Sequence, residues 1–196
     1  MGDIKSAYEI AMEKVAELGE VTEEERLRWK YVPEGEGLAA RYLNKSFSLA
    51  AALGKYKGPA RGFVKEGAMG ILIRNISLPR NDSLEKTTRQ AMAGLEDLKD
   101  DKVAVENIYT QMRHIFDHYR GQGAQQRQQA YENLKAELED RVRQALQQQT
   151  GMPVGMKMDV EKQPQFQEEW RRRQAQIDSQ YVQLLDEYKR ELAAIT

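Results

Sequence analysis

The sequence predicts an all-α protein, and three observations carry that prediction. First, Phe166, Trp170, Ile177, Tyr181, Leu184, Tyr188, Leu192 and Ile195 mostly recur three or four residues apart, with almost only Gln, Glu, Asp, Lys and Arg between them. That spacing makes one long helix with a single apolar seam, and a seam of that length needs a helical partner. Second, Ile108, Met112, Ile115 and Tyr119 repeat the pattern, as do Tyr131, Leu134, Leu138, Val142 and Ala145. Third, Thr22-Glu23-Glu24-Glu25 and Asp82-Ser83-Leu84-Glu85 have the form of capping boxes, in which a side-chain oxygen accepts from a free amide and a glutamate reaches back.

The elements follow in order. Ile4, Ala7, Tyr8, Ala11, Met12, Val15 and Leu18 line a first helix that ends at Gly19. A short helix begins at the Thr22 box and ends near Tyr31, because Pro33 and Gly35-Glu36-Gly37 break the chain. Residues 38–53 read as helix, with Ala39, Tyr42, Leu43, Phe47, Ala50 and Leu53 inward; residues 54–58 read as a loop, and Pro59 suits a first helical turn. Residues 60–77 are contested. Ile71, Leu72, Ile73 and Ile76 suggest a strand, but Phe63, Val64, Ala68, Ile71 and Leu72 keep helical spacing and no second strand is evident. Helix is the reading adopted, with Gly62, Gly67 and Gly70 allowing another helix to cross closely. Helices over about 82–98, 103–120 and 124–149 follow, the second stopped by Gly121 and Gly123. Met156, Met158 and Val160 alternate with polar residues in a 150–163 connection, where a short extended stretch fits, and the final helix starts near Pro164.

This divides the chain into a compact helical region, 1–100, and a long-helix region, 103–196, whose seams pair antiparallel or meet another copy in coiled-coil fashion. Charge is unevenly spread around a formal net −1. Residues 1–40 hold five Lys/Arg against ten Asp/Glu, residues 41–89 ten against three, and residues 90–196 fifteen against eighteen. The middle segment is a basic island between acidic flanks. Having no cysteine, the chain lacks disulfides, thiolate metal sites and cysteine nucleophiles. It also has no apolar run of membrane-spanning length, and a cytoplasmic location is expected. Gly2 and Ser6 fit the loose N-myristoylation pattern, but Asp3 as a helix cap is the simpler reading.

Little in the chain points to catalysis. His114 and His118 stand four apart, as two imidazoles sharing a metal would on one helix face. Yet the intervening residues are not those of a zinc protease and no third ligand is evident, so no metal or cofactor is expected. No serine lies in a nucleophile elbow, and no Glu-x-x-His marks a di-iron bundle. The basic island is the sharper signal: Lys45, Lys55, Lys57, Arg61, Lys65, Arg74 and Arg80 are interleaved with Tyr42, Tyr56 and Phe63, residues able to neutralise phosphates and stack on bases. Gly-Lys-Tyr-Lys-Gly-Pro is nonetheless no P-loop, and neutralising the glutamates of residues 9–36 is the simpler role.

The stretches GDIKSAYEIAMEK, RGFVKEGAMGILIRNISLP and the closing EEW with its spaced Tyr and Leu are similar to a family of small helical prokaryotic proteins of unknown function. The resemblance implies a bacterial or archaeal cytoplasmic protein and a helix over 60–77; it carries over no active-site residue. The function expected is therefore a non-enzymatic, oligomeric interaction or scaffold protein, using the seam of Trp170, Ile177, Tyr181, Leu184, Tyr188 and Leu192. Binding of RNA or another polyanion through Lys45, Lys55, Lys57, Arg61 and Lys65 is the alternative.

Overall fold

The structure, a computed structural model, describes residues 21–45, 47–150 and 159–195, with the side chains of 149 and 150 excepted. The helix expected over 4–18, the Gly2–Ser6 pattern and Met152, Met156 and Met158 lie outside the described residues. Those residues form helices α1 (Glu23–Asn44), α2 (Leu49–Leu53), α3 (Pro59–Arg74), α4 (Asp82–Leu98), α5 (Lys102–Arg120), α6 (Gln122–Thr150) and α7 (Pro164–Ala194), with a 3-10 turn at Val160–Lys162. No strand occurs among them. The contested 60–77 stretch is helical as far as Arg74. The chain divides into two compact units: Met1–Arg74 with Ala93–Leu98, and Asn75–Met92 with Lys99–Thr196.

In the first unit, the expected break at residues 33–37 is absent. Helix α1 starts at the Thr22 capping box, where Thr22 Oγ1 accepts from Glu25 N at 3.2 Å and Glu25 Oε2 accepts from Thr22 N at 2.9 Å. It then runs straight through Pro33 and Gly35-Glu36-Gly37 to Asn44. Proline forfeits one amide donor inside the helix, but Pro33 lies on the exposed side. The glycines have a tertiary role that outweighs their poor helix propensity. A Cβ on Gly35 would lie 2.0 Å from the Val64 carbonyl oxygen, and one on Gly67 would lie 2.1 Å from the Val32 carbonyl oxygen. Helices α1 and α3 thus touch backbone to backbone at a reciprocal pair of glycines, flanked by Arg28–Glu66 and Arg74–Glu36 ion pairs. Gly62 and Gly70 take no part in this approach. The helix expected over 38–53 is two pieces, since α1 stops at Asn44 and Ser48 caps the short α2 through Ala51 N. Around the crossing, Leu38, Ala39, Leu49, Leu53, Val64, Ala68 and Leu72 are buried. Gly94 of α4 lets Tyr42, Leu49 and Leu72 close over it.

In the second unit, Thr88 ties α4 to the segment before it: its hydroxyl accepts from Ser77 N at 3.0 Å and donates to Ser77 O at 3.2 Å. The helix cap is Asn81, whose Oδ1 accepts from Leu84 N, and not the expected Asp82 box; Glu85 is turned instead toward Arg89 and Arg120. Helices α5 and α6 both run antiparallel to α7, one after the other. Lys99, just before α5, reaches the last residues of α7, Tyr119 near the end of α5 reaches Asp178, and Glu137 of α6 reaches Arg173. Gly121 is the joint between them, and the α6 helix begins at Gln122, so Gly123 is its second residue and not a stop. Along α6, Leu134 and Leu138 enclose Val160 and Phe166, with Tyr131 and Trp170 at the edge. Val160 sits in the 3-10 turn, not in an extended stretch. Each large side chain fully buried there contributes about 1.5–3 kcal/mol. At the other end, the Lys99 ammonium, 1% exposed, donates to the Ala193 and Ile195 carbonyls and so caps α7 where helix carbonyls lack partners.

Candidate functional site

The α5–α6 joint gathers the most ionisable chemistry of the second unit around one carboxylate. Asp178 lies midway along α7 and is 2% exposed. A buried carboxylate is costly unless its charge and lone pairs are answered. Here Arg80 Nη2 lies 3.1 Å from Oδ2, Arg127 Nη1 lies 3.4 Å from Oδ1, and the Tyr119 hydroxyl donates to Oδ2 at 3.2 Å. Arg127 does more than pair. Its Nη2 donates to the Tyr119 carbonyl at 2.9 Å, an end-of-helix acceptor of α5, and its guanidinium stacks 3.9 Å from the Tyr119 ring centroid. Tyr181 packs edge-on against Tyr119 at 5.2 Å and meets His118 Nδ1 at 2.8 Å through its hydroxyl. A Cβ on Gly123 would come within 2.9 Å of that hydroxyl, so glycine keeps α6 close at the joint.

The electrostatics follow from this packing. Burial raises the Tyr119 pKa, the Asp178 charge raises it further, and Arg127 and Arg80 work the other way. Two guanidinium groups neutralise the one carboxylate, and no buried side-chain polar atom among the described residues lacks a partner. The arrangement is suited to locking three helices in register. Beside it, Ala124, Arg127, Gln128, Tyr131, Trp170 and Gln174 line an open cleft of about 310 Å³. His114 and His118 are both exposed, and among the described residues no three His, Asp or Glu side chains are placed to share a metal.

The seam expected on α7 is shifted by part of a turn. Asp178, Leu185 and Leu192 form the buried row, seven residues apart, together with Phe166. Trp170, Ile177, Tyr181 and Tyr188 are only half-buried along its margin, while Leu184 is 44% exposed and yields the expected inward place to Leu185. The sequence does carry a signal for Asp178, because it stands seven residues before Leu185 and fourteen before Leu192. Taking Ile177 as the seam position hides it.

In the first unit the basic residues separate into two groups. Arg74 pairs with Glu36, and Lys65 is half-buried and engaged; Arg80 belongs to the Asp178 cluster of the second unit. Lys45, Lys55, Lys57 and Arg61 are exposed and form no ion pair with a described residue. Arg41 and Lys45 line an open cleft of about 440 Å³ with Ala40, Asn44 and Phe47. Tyr56, between Lys55 and Lys57, packs edge-on to Tyr31 at 6.2 Å and hydrogen-bonds Glu34, whose carboxylate raises the tyrosine pKa.

Among the described residues, no helix is long and apolar enough to cross a membrane. No curated protein and no solved structure matches the chain. A family model described as a family of unknown function (DUF6657) matches residues 50–194, which include α3 to α7, Gly67 of the α1–α3 crossing and the Asp178 cluster, and the chain therefore belongs to that family.

Proposed function

We propose that this protein acts by binding and not by catalysis, as a cytoplasmic helical interaction protein that associates with a second copy of itself along α7. The supporting observation is the half-covered margin of that helix. Trp170, Ile177, Tyr181 and Tyr188 keep part of their surface in water, and Leu184 keeps 44% of its own, beside a row that is fully buried. Apolar surface held in one line along a long helix fits a second rod, in the coiled-coil manner, at the level where α5 and α6 leave it uncovered. The ionisable cluster at the joint suits this role. Its carboxylate is neutralised by two arginines, which favours a fixed helical scaffold over proton transfer. Light scattering over a dilution series tests the reading. A mass above the monomer that Leu184→Glu lowers, without changing the melting temperature, is the expected result. A monomer at every concentration would overturn it.

A further inference from the structure

The outer side of α1 carries a row of cations. Arg26, Lys30, Arg41 and Lys45 are all exposed, and at 3.6 residues per turn they share about a third of the helix circumference, over about 28 Å. None forms an ion pair with a described residue. Glu36 is paired with Arg74, whereas the exposed Glu23 and Glu34 lie within the same third of the circumference, Glu34 accepting a hydrogen bond from Tyr56. Through Tyr56, which touches Tyr31 and Glu34 of α1, the loop with Lys55 and Lys57 lies beside the same face. Two aromatic rings border the strip in water: Trp29, 66% exposed, and Phe47, 37% exposed in the cleft with Arg41 and Lys45.

With Lys55 and Lys57 the face sets six cations against Glu23 and Glu34, and two exposed rings stand beside them. Cations in a row attract a phosphate backbone, and exposed rings stack on bases that are free of a duplex. We infer that this face of the first unit, Arg26, Lys30, Arg41, Lys45, Lys55 and Lys57 with Trp29 and Phe47, binds single-stranded nucleic acid. An acidic polypeptide would satisfy the cations but leave the rings unused, and a duplex keeps its bases stacked away from them. The face shares no residue with the α7 margin proposed for self-association, so either can fail alone.

Fluorescence anisotropy of the full chain with a labelled oligouridylate of about 16 nucleotides tests the inference. Binding is expected at low salt, with log Kd rising linearly with log salt concentration. Arg41→Glu, Lys45→Glu and Lys57→Glu together are expected to abolish it while circular dichroism stays unchanged. Phe47→Ala, which keeps every charge, is expected to weaken binding roughly five- to a hundred-fold through lost stacking. Absence of binding at low salt, or full binding by the charge-reversed variant, overturns the proposal. So does equal affinity for a duplex of the same length, or displacement of the oligonucleotide by polyglutamate at equal charge.

Discussion

The two units solve the same problem, fixing helices against one another, by opposite means. The first has its helices meet at bare backbone: Gly35 and Gly67 each sit under the other helix's valine carbonyl. The second places a charge in the apolar seam and surrounds it, with Asp178 held by Arg80, Arg127 and Tyr119. The difference extends to the surface. Most arginines of the second unit are matched within it, including Arg113–Glu106, Arg120–Asp117, Arg172–Glu168 and Arg173–Glu137. On α1, by contrast, Arg26, Lys30, Arg41 and Lys45 form no ion pair with a described residue. Close packing of small residues specifies a crossing by shape alone and leaves charges available for outside partners. A buried ionic cluster specifies register by chemistry and draws on the charges nearby.

The sharpest way to break the contrast is to fill the glycine crossing. Gly67→Ala puts a methyl about 2 Å from a backbone oxygen that no rotamer change can move, so the helices must part. Separation also uncovers Val64, Ala68 and Leu72, so a loss of about 3 kcal/mol or more is expected, read as a lower urea midpoint. A Gly67→Ala chain as stable as the parent would refute the backbone contact.

The ionic solution breaks less abruptly. Asp178→Ala leaves Arg127, mostly buried, facing an empty site, and a cost of about 3 kcal/mol is expected. Arg80 is 52% exposed and can turn to water, so Arg80→Ala should cost under about 1 kcal/mol. Asp178→Leu offers apolar packing in return and should fall between the two, with broadened or doubled amide resonances if the charge sets the register. Urea titration with nuclear magnetic resonance spectra separates the two effects. Equal costs for Asp178→Ala and Arg80→Ala would show that burial is not what matters here.

Gly62→Ala tests the glycine argument with the opposite sign. Gly62 lies in the same helix as Gly67, but a Cβ there meets nothing within 4 Å. Alanine should therefore stabilise by up to about 1 kcal/mol, the ordinary difference in helix propensity. A loss on thermal melting would mean that Gly62 has a neighbour the crossing does not explain.

Helix identity was legible in the sequence wherever the apolar period was long, as in α5, α6 and α7, and at the Thr22 box. It failed at residues 33–37, because proline and glycine are local breakers and nothing local reveals the helix that passes over them. A signal did exist: Tyr31-Val32-Pro33-Glu34-Gly35 and Phe63-Val64-Lys65-Glu66-Gly67 share an aromatic-Val-x-Glu-Gly order, and these are the two segments that cross. Asp178 was missed for a different reason. Both Ile177 and Asp178 lie near the seam, and hydrophobicity alone selects the isoleucine; only the seven-residue spacing to Leu185 and Leu192 selects the aspartate. The cations of α1 could be counted in sequence, but their lack of ion-pair partners among the described residues is a tertiary fact.

The smallest expected effect appears only in alkali. Burial and the Asp178 charge raise the Tyr119 pKa above its unfolded value, so the folded state holds that proton more tightly. The contribution to stability is fully present below the unfolded tyrosine pKa of about 10, and it is lost as pH rises through the folded value. The Tyr42 pKa in the first unit is also raised by burial, so the parent alone cannot assign the alkaline loss to either unit. Tyr119→Phe keeps the ring under Arg127 while removing the titrating proton and the bond to Asp178. Its melting temperature should be lower than the parent's at neutral pH and should fall less steeply above pH 10. Parallel alkaline slopes for the two chains would place the sensitivity at the other tyrosines with raised pKa values, Tyr42, Tyr56 and Tyr131, and leave the ionic cluster without a part in it.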